Sequence, residues 1–147
     1  MAASLLHIPG DIVNGRYRII ENIGHGATGE VFVAHDALHS SRKLAMKYLK
    51  FAPERKTALE QFKSEFTTLT HLSHPHIAKV YDLEQDISND QFFFTSELIE
   101  GVEFLKAAQD MGIDEIEDLF VQSLRALEYL HGNGIFHFDI KSANILV

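Results

Sequence analysis

The stretch Ile23-Gly24-His25-Gly26-Ala27-Thr28-Gly29-Glu30-Val31-Phe32-Val33 decides how the rest of the chain is read. Its glycines form the pattern GxGxxG, which more than one nucleotide-binding fold uses, so the residues after the last glycine carry the deciding information. In a dinucleotide fold these glycines open a helix whose N-terminus holds the pyrophosphate. Here Glu30 to Ala34 alternate as a strand, with Val31 and Val33 on one side and Phe32 and Ala34 on the other. That predicts a β-hairpin flap over phosphates and excludes the dinucleotide fold. Glycine suits such a flap because a side chain would hold backbone N–H groups away from phosphate oxygens, while Val31 is left to press on a base. The alternative is a hairpin turn that is merely rich in glycine.

Upstream, Tyr17, Ile19 and Ile23 share the parity of a strand face, giving the first arm of the hairpin. Downstream, Leu44 to Leu49 predict a third strand, with Ala45, Lys47 and Leu49 on one side and Leu44, Met46 and Tyr48 on the other. Lys47 therefore sits among apolar residues on its own face. The next element is a helix, capped by Thr57 with Glu60, and carrying Leu59, Phe62, Phe66, Leu69 and Leu72 in one arc. Glu65 falls inside that arc and needs a partner. Apolar runs around Ile77 to Leu83 and Phe92 to Leu98 complete a five-stranded antiparallel sheet with one main helix. Beyond "ELIEGVEF" the pattern turns helical, with Asp114 and Glu117 as a capping box before Ile116, Leu119, Phe120, Leu124, Leu127 and Leu130. The fold class is α+β, and a boundary falls near Glu100 to Phe104. Residues 1–16 read as a lead-in, 17–100 as a small β-rich lobe, and 101–147 as a hinge and the helical start of a second lobe.

Composition limits what such a chain can do. With 46% hydrophobic and 23% charged residues, 147 residues suffice for a buried core. Acids outnumber Lys and Arg by 21 to 13, a net charge of -8, which argues against a general nucleic-acid binder. There is no cysteine, which excludes disulfides and thiolate chemistry, and no apolar run long enough for a leader or a membrane span, so the cytoplasm is the expected location. His71, His74 and His76 cluster before a strand but lack cysteine partners, and read as a loop rather than a zinc site. Phe92, Phe93 and Phe94 read as a buried strand.

The order of motifs now matters: Gly24-x-Gly26-x-x-Gly29-x-Val31, then Ala45-Met46-Lys47, then Glu65 on a helix, then "ELIEG", then His137-Phe138-Asp139-x-Lys141-x-x-Asn144. In that order the chain, from about Tyr17 to Val147, resembles the N-terminal part of the catalytic domain of a eukaryotic-type serine/threonine protein kinase. The resemblance implies a protein-kinase-like fold with ATP and Mg2+ as cofactors and a protein bearing Ser or Thr as substrate. It implies that Gly24, Gly26 and Gly29 cradle phosphates, and that Lys47 contacts the α and β phosphates and pairs with Glu65. The alternative leaves Glu65 at the border of its stripe and lets Lys47 reach solvent along its stem. Val31 and Ala45 would line the adenine pocket, Glu97, Leu98 and Ile99 would form the hinge, and Ser96 would guard the pocket's rear. Glu103 would accept from a ribose hydroxyl, unless it is only a solvated charge.

The resemblance gives the last loop its chemistry. Asp139 would orient or accept the proton of the substrate hydroxyl, Lys141 would neutralise charge on the transferring phosphoryl group, and Asn144 would bind magnesium. His137 would be a structural hydrogen-bonding residue. Lys141 two residues after Asp139 is similar to the serine/threonine branch of the family. Phe138 stands where the family usually has an arginine that meets a phosphorylated activation loop, so activity is expected to depend less on such phosphorylation. No Asp-Phe-Gly occurs in the 147 residues. The chain by itself is therefore expected to show little or no phosphotransfer, and its helical part to need the rest of a C-lobe or a partner to cover its apolar side chains. The competing reading is a non-catalytic kinase-like module that binds nucleotide or a protein.

Overall fold

The computed structural model describes residues 6–26, 29–40, 42–49 and 56–147, with the backbone alone at 56–59, 61, 62 and 65. The chain divides into two compact units, one of Met1–Leu72 with Lys79–Leu98 and one of Ser73–Ala78 with Ile99–Val147.

Among the described residues the first unit is one antiparallel sheet with one α-helix and a 3-10 turn at Ala37–His39. Its strands are β1 (Ile12–Val13), β2 (Tyr17–Gly26), β3 (Gly29–Asp36), β4 (Arg42–Tyr48), β5 (Val80–Gln85) and β6 (Phe92–Ser96), in the order β1-β2-β3-β4-β6-β5, with helix α1 (Lys56–Thr70) between β4 and β5. The sheet thus has six strands where the sequence pattern predicts five. The extra one is β1, which pairs Ile12 with Arg18 and Val13 with Tyr17. It is returned by Asn14-Gly15, both at positive φ (51° and 68°), the combination a type I′ hairpin turn requires.

Strand parity holds for β4, where Leu44, Met46 and Tyr48 are buried and Lys47 is half-buried on the other face. It fails for β2. Register shifts between Ile19 and Glu21 and between Asn22 and Gly24 insert extra residues, so Ile23, expected on the face of Tyr17 and Ile19, is 51% exposed. The core joins Val13, Tyr17, Ile19, Phe32, Ala34, Leu44, Met46, Tyr48 and Phe93 on one face of the sheet. At 20–33 cal/mol per Å² of apolar area this burial is the main force holding the unit together (about 1.5–3 kcal/mol per large side chain). On the other face α1 is held by Phe66, buried against Phe94 with ring centroids 5.8 Å apart.

A polar seam joins the two open edges of the sheet. Asn14, in the β1–β2 turn, donates to Glu84 Oε2 (3.0 Å) and to the Gln85 carbonyl (2.9 Å) on β5. Beside it Arg16 donates to both oxygens of Asp36 (2.8 Å each), to Asp82 (2.8 Å) and to Glu84 (2.9 Å), and the Tyr17 hydroxyl donates to Glu84 (2.7 Å). These bonds span both ends of the strand order, so the sheet is curled. The run expected to start a strand at Ile77 first makes a turn, with the Ile77 N–H on the His74 carbonyl (3.1 Å), and β5 begins at Val80.

Among the described residues the second unit contains α2 (Phe104–Ala107), α3 (Ile113–Gly132) and 3-10 turns at Ala108–Asp110 and Ser142–Asn144. The capping expected at Asp114 and Glu117 lies two residues earlier. Gly112 is extended and donates its N–H to Glu115 Oε2 at 2.8 Å, half of a capping box, since glycine offers no side-chain acceptor in return. The helix ends with Gly134 at φ 73° and bonds from Ile135 N–H to Leu130 O (2.9 Å) and Gly134 N–H to His131 O (2.9 Å), a glycine-terminated Schellman stop. The capping pair expected at Thr57 and Glu60 on α1 lies outside the described residues.

Candidate functional site

In the first unit, register aligns the residues of interest. Directly opposed residues of antiparallel strands share a face. Val31 lies opposite Lys47, and Lys47 opposite Phe94, while Val33 lies opposite Ala45 and Ala45 opposite Ser96. Val31, Ala45 and Lys47 therefore occupy one face, which is the face that carries α1 through Phe94 and Phe66. Glu65 precedes Phe66 on that helix, but its side chain lies outside the described residues, and so does the Lys47–Glu65 pair.

The glycines close the hairpin. Gly26 pairs with Gly29 at the tip, Gly24 pairs with Val31, and residues 27 and 28 lie outside the described set. Gly29 is the one whose chemistry is forced: its φ is 131°, and a Cβ there would overlap the carbonyl oxygen of Tyr48. We therefore expect Gly29→Ala to be destabilised by about 1–3 kcal/mol from backbone conformation alone, with the overlap adding to it. Thermal denaturation checks this, and an unchanged melting temperature would mean that residue 29 relaxes to another backbone conformation and that β4 yields as well.

At the end of β6 the Glu97 N–H donates to the Lys79 carbonyl (2.7 Å), and the Glu97 carboxylate accepts from the Lys79 N–H (3.1 Å). This leaves the Glu97 carbonyl, rather than its N–H, as the group a base edge could use. Ile99 belongs to the second unit and is 40% exposed.

In the second unit one loop gathers three of the expected residues. Lys141 Nζ donates to Asp139 Oδ1 (3.1 Å) and Oδ2 (2.9 Å), and Asn144 Nδ2 donates to Asp139 Oδ2 (3.1 Å) and to its carbonyl (2.8 Å). The 3-10 turn at Ser142–Asn144, closed by Asn144 N–H on Lys141 O (2.9 Å), brings Asn144 back to Asp139. Hydrogen bonds from Lys141 and then Asn144 hold the Asp139 carboxyl below the usual carboxylate range. His137 Nδ1 accepts from the Asp139 N–H (3.3 Å) and braces the loop. Phe138 sits at φ 56° and is 94% exposed.

Glu103, expected near a ribose, accepts a hydrogen bond from the Ser142 hydroxyl, and Ser142 Oγ in turn accepts from the Leu105 N–H (3.1 Å). With the backbone bonds Val102 N–H to Val147 O and Phe104 N–H to Ile145 O (2.9 Å each), it ties the α2 start to the loop. Sequence reasoning missed Ser142 as the partner, because nothing in its local pattern points 39 residues back. The histidines do local work: His71 donates to Thr67 O (2.7 Å), and His74 packs on Tyr129 (5.1 Å) and accepts from the His76 N–H (3.1 Å).

Comparison with known proteins shows the family. Residues 17–147 match the protein kinase domain family. Serine/threonine-protein kinase C of Synechocystis sp. is 36% identical over 149 residues, covering 95% of this chain and 28% of the relative. Serine/threonine-protein kinase PrkC of Bacillus subtilis is 31% identical over 142 residues, covering 94% of this chain and 22% of the relative. A crystal structure of the Mycobacterium tuberculosis PknI kinase domain matches with a TM-score of 0.76 at 23% identity, covering 95% of this chain and 57% of that one, a likeness of fold. The chain belongs to the protein kinase family and corresponds to the N-terminal part of the kinase domain. It spans about a quarter of the length of these curated relatives. Among the described residues no helix is long and apolar enough to cross a membrane.

Proposed function

We propose that this chain is the ATP-binding part of a serine/threonine protein kinase, which transfers the γ-phosphate of ATP to a hydroxyl of a protein substrate in the cytoplasm. The observation that carries the reading is the group Asp139, Lys141 and Asn144, within 3.1 Å of one another through the Asp139 carboxylate. An ionised carboxylate, a cation and an amide in one exposed loop form a set suited to holding a hydroxyl nucleophile and screening a phosphoryl group. Asn144 spends its NH2 on Asp139, which leaves its amide oxygen, a hard donor, for Mg2+.

In this reading residues 17–100 are the N-lobe, residues 1–16 its lead-in, and 101–147 the hinge and incomplete C-lobe. Gly24, Gly26 and Gly29 let the flap approach the phosphates, Val31 and Ala45 cover the base, the Glu97 carbonyl and Ile99 backbone read its edge, and Lys47, paired with Glu65, meets the phosphates. Glu103 reaches the ribose only by sharing its carboxylate with Ser142. The exposed side chains of Phe120, Val121 and Leu124 on α3 are then covered by the rest of a C-lobe or by a partner. Without an Asp-Phe-Gly, Met1–Val147 alone binds nucleotide but turns over little.

Titration of the chain with MgATP tests the nucleotide part. Lys47→Met is expected to weaken binding by roughly ten- to a hundredfold, the loss of one charge-assisted contact to phosphate. Equal affinity in the two proteins would remove Lys47 from the phosphate site.

A further inference from the structure

The lead-in is fastened into the sheet by buried polar groups. His7 is 9% exposed, and its Nε2 lies 2.8 Å from Asp86 Oδ2 and 2.8 Å from the Tyr48 hydroxyl. Its ring packs against Phe32 (5.9 Å) and Tyr48 (5.3 Å). Asp86 is itself fixed by the Tyr48 hydroxyl (2.6 Å), the Ser88 N–H (2.9 Å) and hydroxyl (2.7 Å), and Asn89 (3.0 Å). A histidine held this way gives the preceding residue a defined position. That residue, Leu6, donates its N–H to Glu30 Oε2 at 3.2 Å.

Glu30 directly follows Gly29 and is 7% exposed, unusual burial for a glutamate at a hairpin end. Its other oxygen, Oε1, lies 3.6 Å from Nδ1 of His25, between the first two glycines. Glu30 thus touches the lead-in on one side and the upstream arm of the flap on the other. We propose that Leu6 and His7 form a clasp on Glu30 that fixes the glycine flap, making His7 and Glu30 positioning residues for the nucleotide. The nucleotide role rests on the ATP-binding reading above. The physical need is entropic: a hairpin tip built on glycines loses more conformational freedom on closing over a ligand than other sequences, and an anchor at its base removes part of that loss beforehand.

The test compares wild type, His7→Ala, His7→Gln and Glu30→Ala in the 147-residue chain, by hydrogen exchange without nucleotide and by MgATP titration. His7→Ala and Glu30→Ala are each expected to speed exchange at Val31 and Phe32 and to weaken MgATP by about tenfold, as for one lost buried hydrogen bond. Exchange at Ala34 to Asp36 and at Thr95 and Ser96 stays at the wild-type rate. His7→Gln, which can still donate to Asp86, restores part of both effects. Glu30→Ala decides the matter if His7→Ala does not fold. Unchanged exchange at Val31 and Phe32, or acceleration spread equally over β3 and β6, overturns the clasp. A wild-type chain that does not bind MgATP overturns the nucleotide reading alone, and the exchange comparison still decides whether the lead-in holds the flap.

Discussion

Asp139→Asn is expected to lower phosphotransfer by about 10²- to 10⁴-fold, the usual size of a positioned general base or hydroxyl-orienting carboxylate. The measurement uses a polypeptide that includes Met1–Val147 and continues through the remainder of a kinase domain. Stability is expected to change little, because Asp139 is exposed and its side chain packs in no core. At so exposed a position little desolvation opposes the hydrogen bonds that Asp139 accepts. Lys141 and Asn144 hold its carboxyl below the ordinary carboxylate value, so it stays ionised through neutral pH and well into the acid range. An acid limb of the rate profile near pH ~6 would therefore belong to another group. Lys141→Met removes the first of the two causes, so the Asp139 carboxyl should rise toward its ordinary value while the rate falls. Transfer within about tenfold of wild type in Asp139→Asn would take this carboxylate out of the mechanism.

That loop is legible in the sequence because its chemistry is local. Asp139, Lys141 and Asn144 lie within six residues, and a single 3-10 turn is enough to bring the third back to the first. Lys47 and Val31 are legible through strand parity, which holds wherever pairing is regular. Parity fails at Ile23 because a bulge shifts the face without leaving a mark in the hydrophobic pattern. The sixth strand has a signal, Asn14-Gly15, that the short flanking runs make easy to pass over. Glu103 has the sequence context of a free carboxylate, and its bond to Ser142 has no local signature.

The same limit applies more strongly to the two polar groupings that close the first unit. His7, Tyr48 and Asp86 are separated by 41 and 38 positions, and Arg16 meets carboxylates 20, 66 and 68 residues away. Singly, each is an ordinary polar residue beside a strand. Their role arises only when the curl of the sheet brings β5 against the β1–β2 turn, so no period or spacing could have announced it. Three carboxylates converging on one guanidinium also show why the net negative charge says little about local fields.

Removing that guanidinium is the second large effect expected. Arg16→Met should cost about 3 to 5 kcal/mol, the penalty for taking one partner from a buried ion pair. The reason is the fully buried Asp36, which among the described residues would keep the Leu38 N–H (3.0 Å), His39 (2.6 Å) and a distant Arg42 (3.9 Å) while Asp82 and Glu84 lose their shared cation. Asp82→Asn should cost far less, about 0 to 1 kcal/mol, because Asp82 is 42% exposed and water can replace its contact. The pH dependence identifies the cause. The Arg16 hydrogen bond, against the opposing effect of burial, drives the Asp36 carboxyl well below the usual range, with His39 and the Leu38 N–H assisting. A carboxyl depressed in the folded state contributes stability that is fully present above its unfolded value, about 3.9, and is lost as pH falls toward the folded value. In Arg16→Met the same carboxyl, buried without its cation, shifts upward, so acid neutralises the group that destabilises the variant. The difference in unfolding free energy between wild type and Arg16→Met, followed by denaturant titration, should therefore be largest near pH ~7, shrink as acid protonates the raised carboxyl of the variant, and shrink further below about 4 as the wild type loses its own advantage. A gap that stays constant from neutral to acid pH would mean that Arg16 acts by packing on Tyr17, whose ring lies 4.5 Å from its guanidinium, and not by pairing the buried charge.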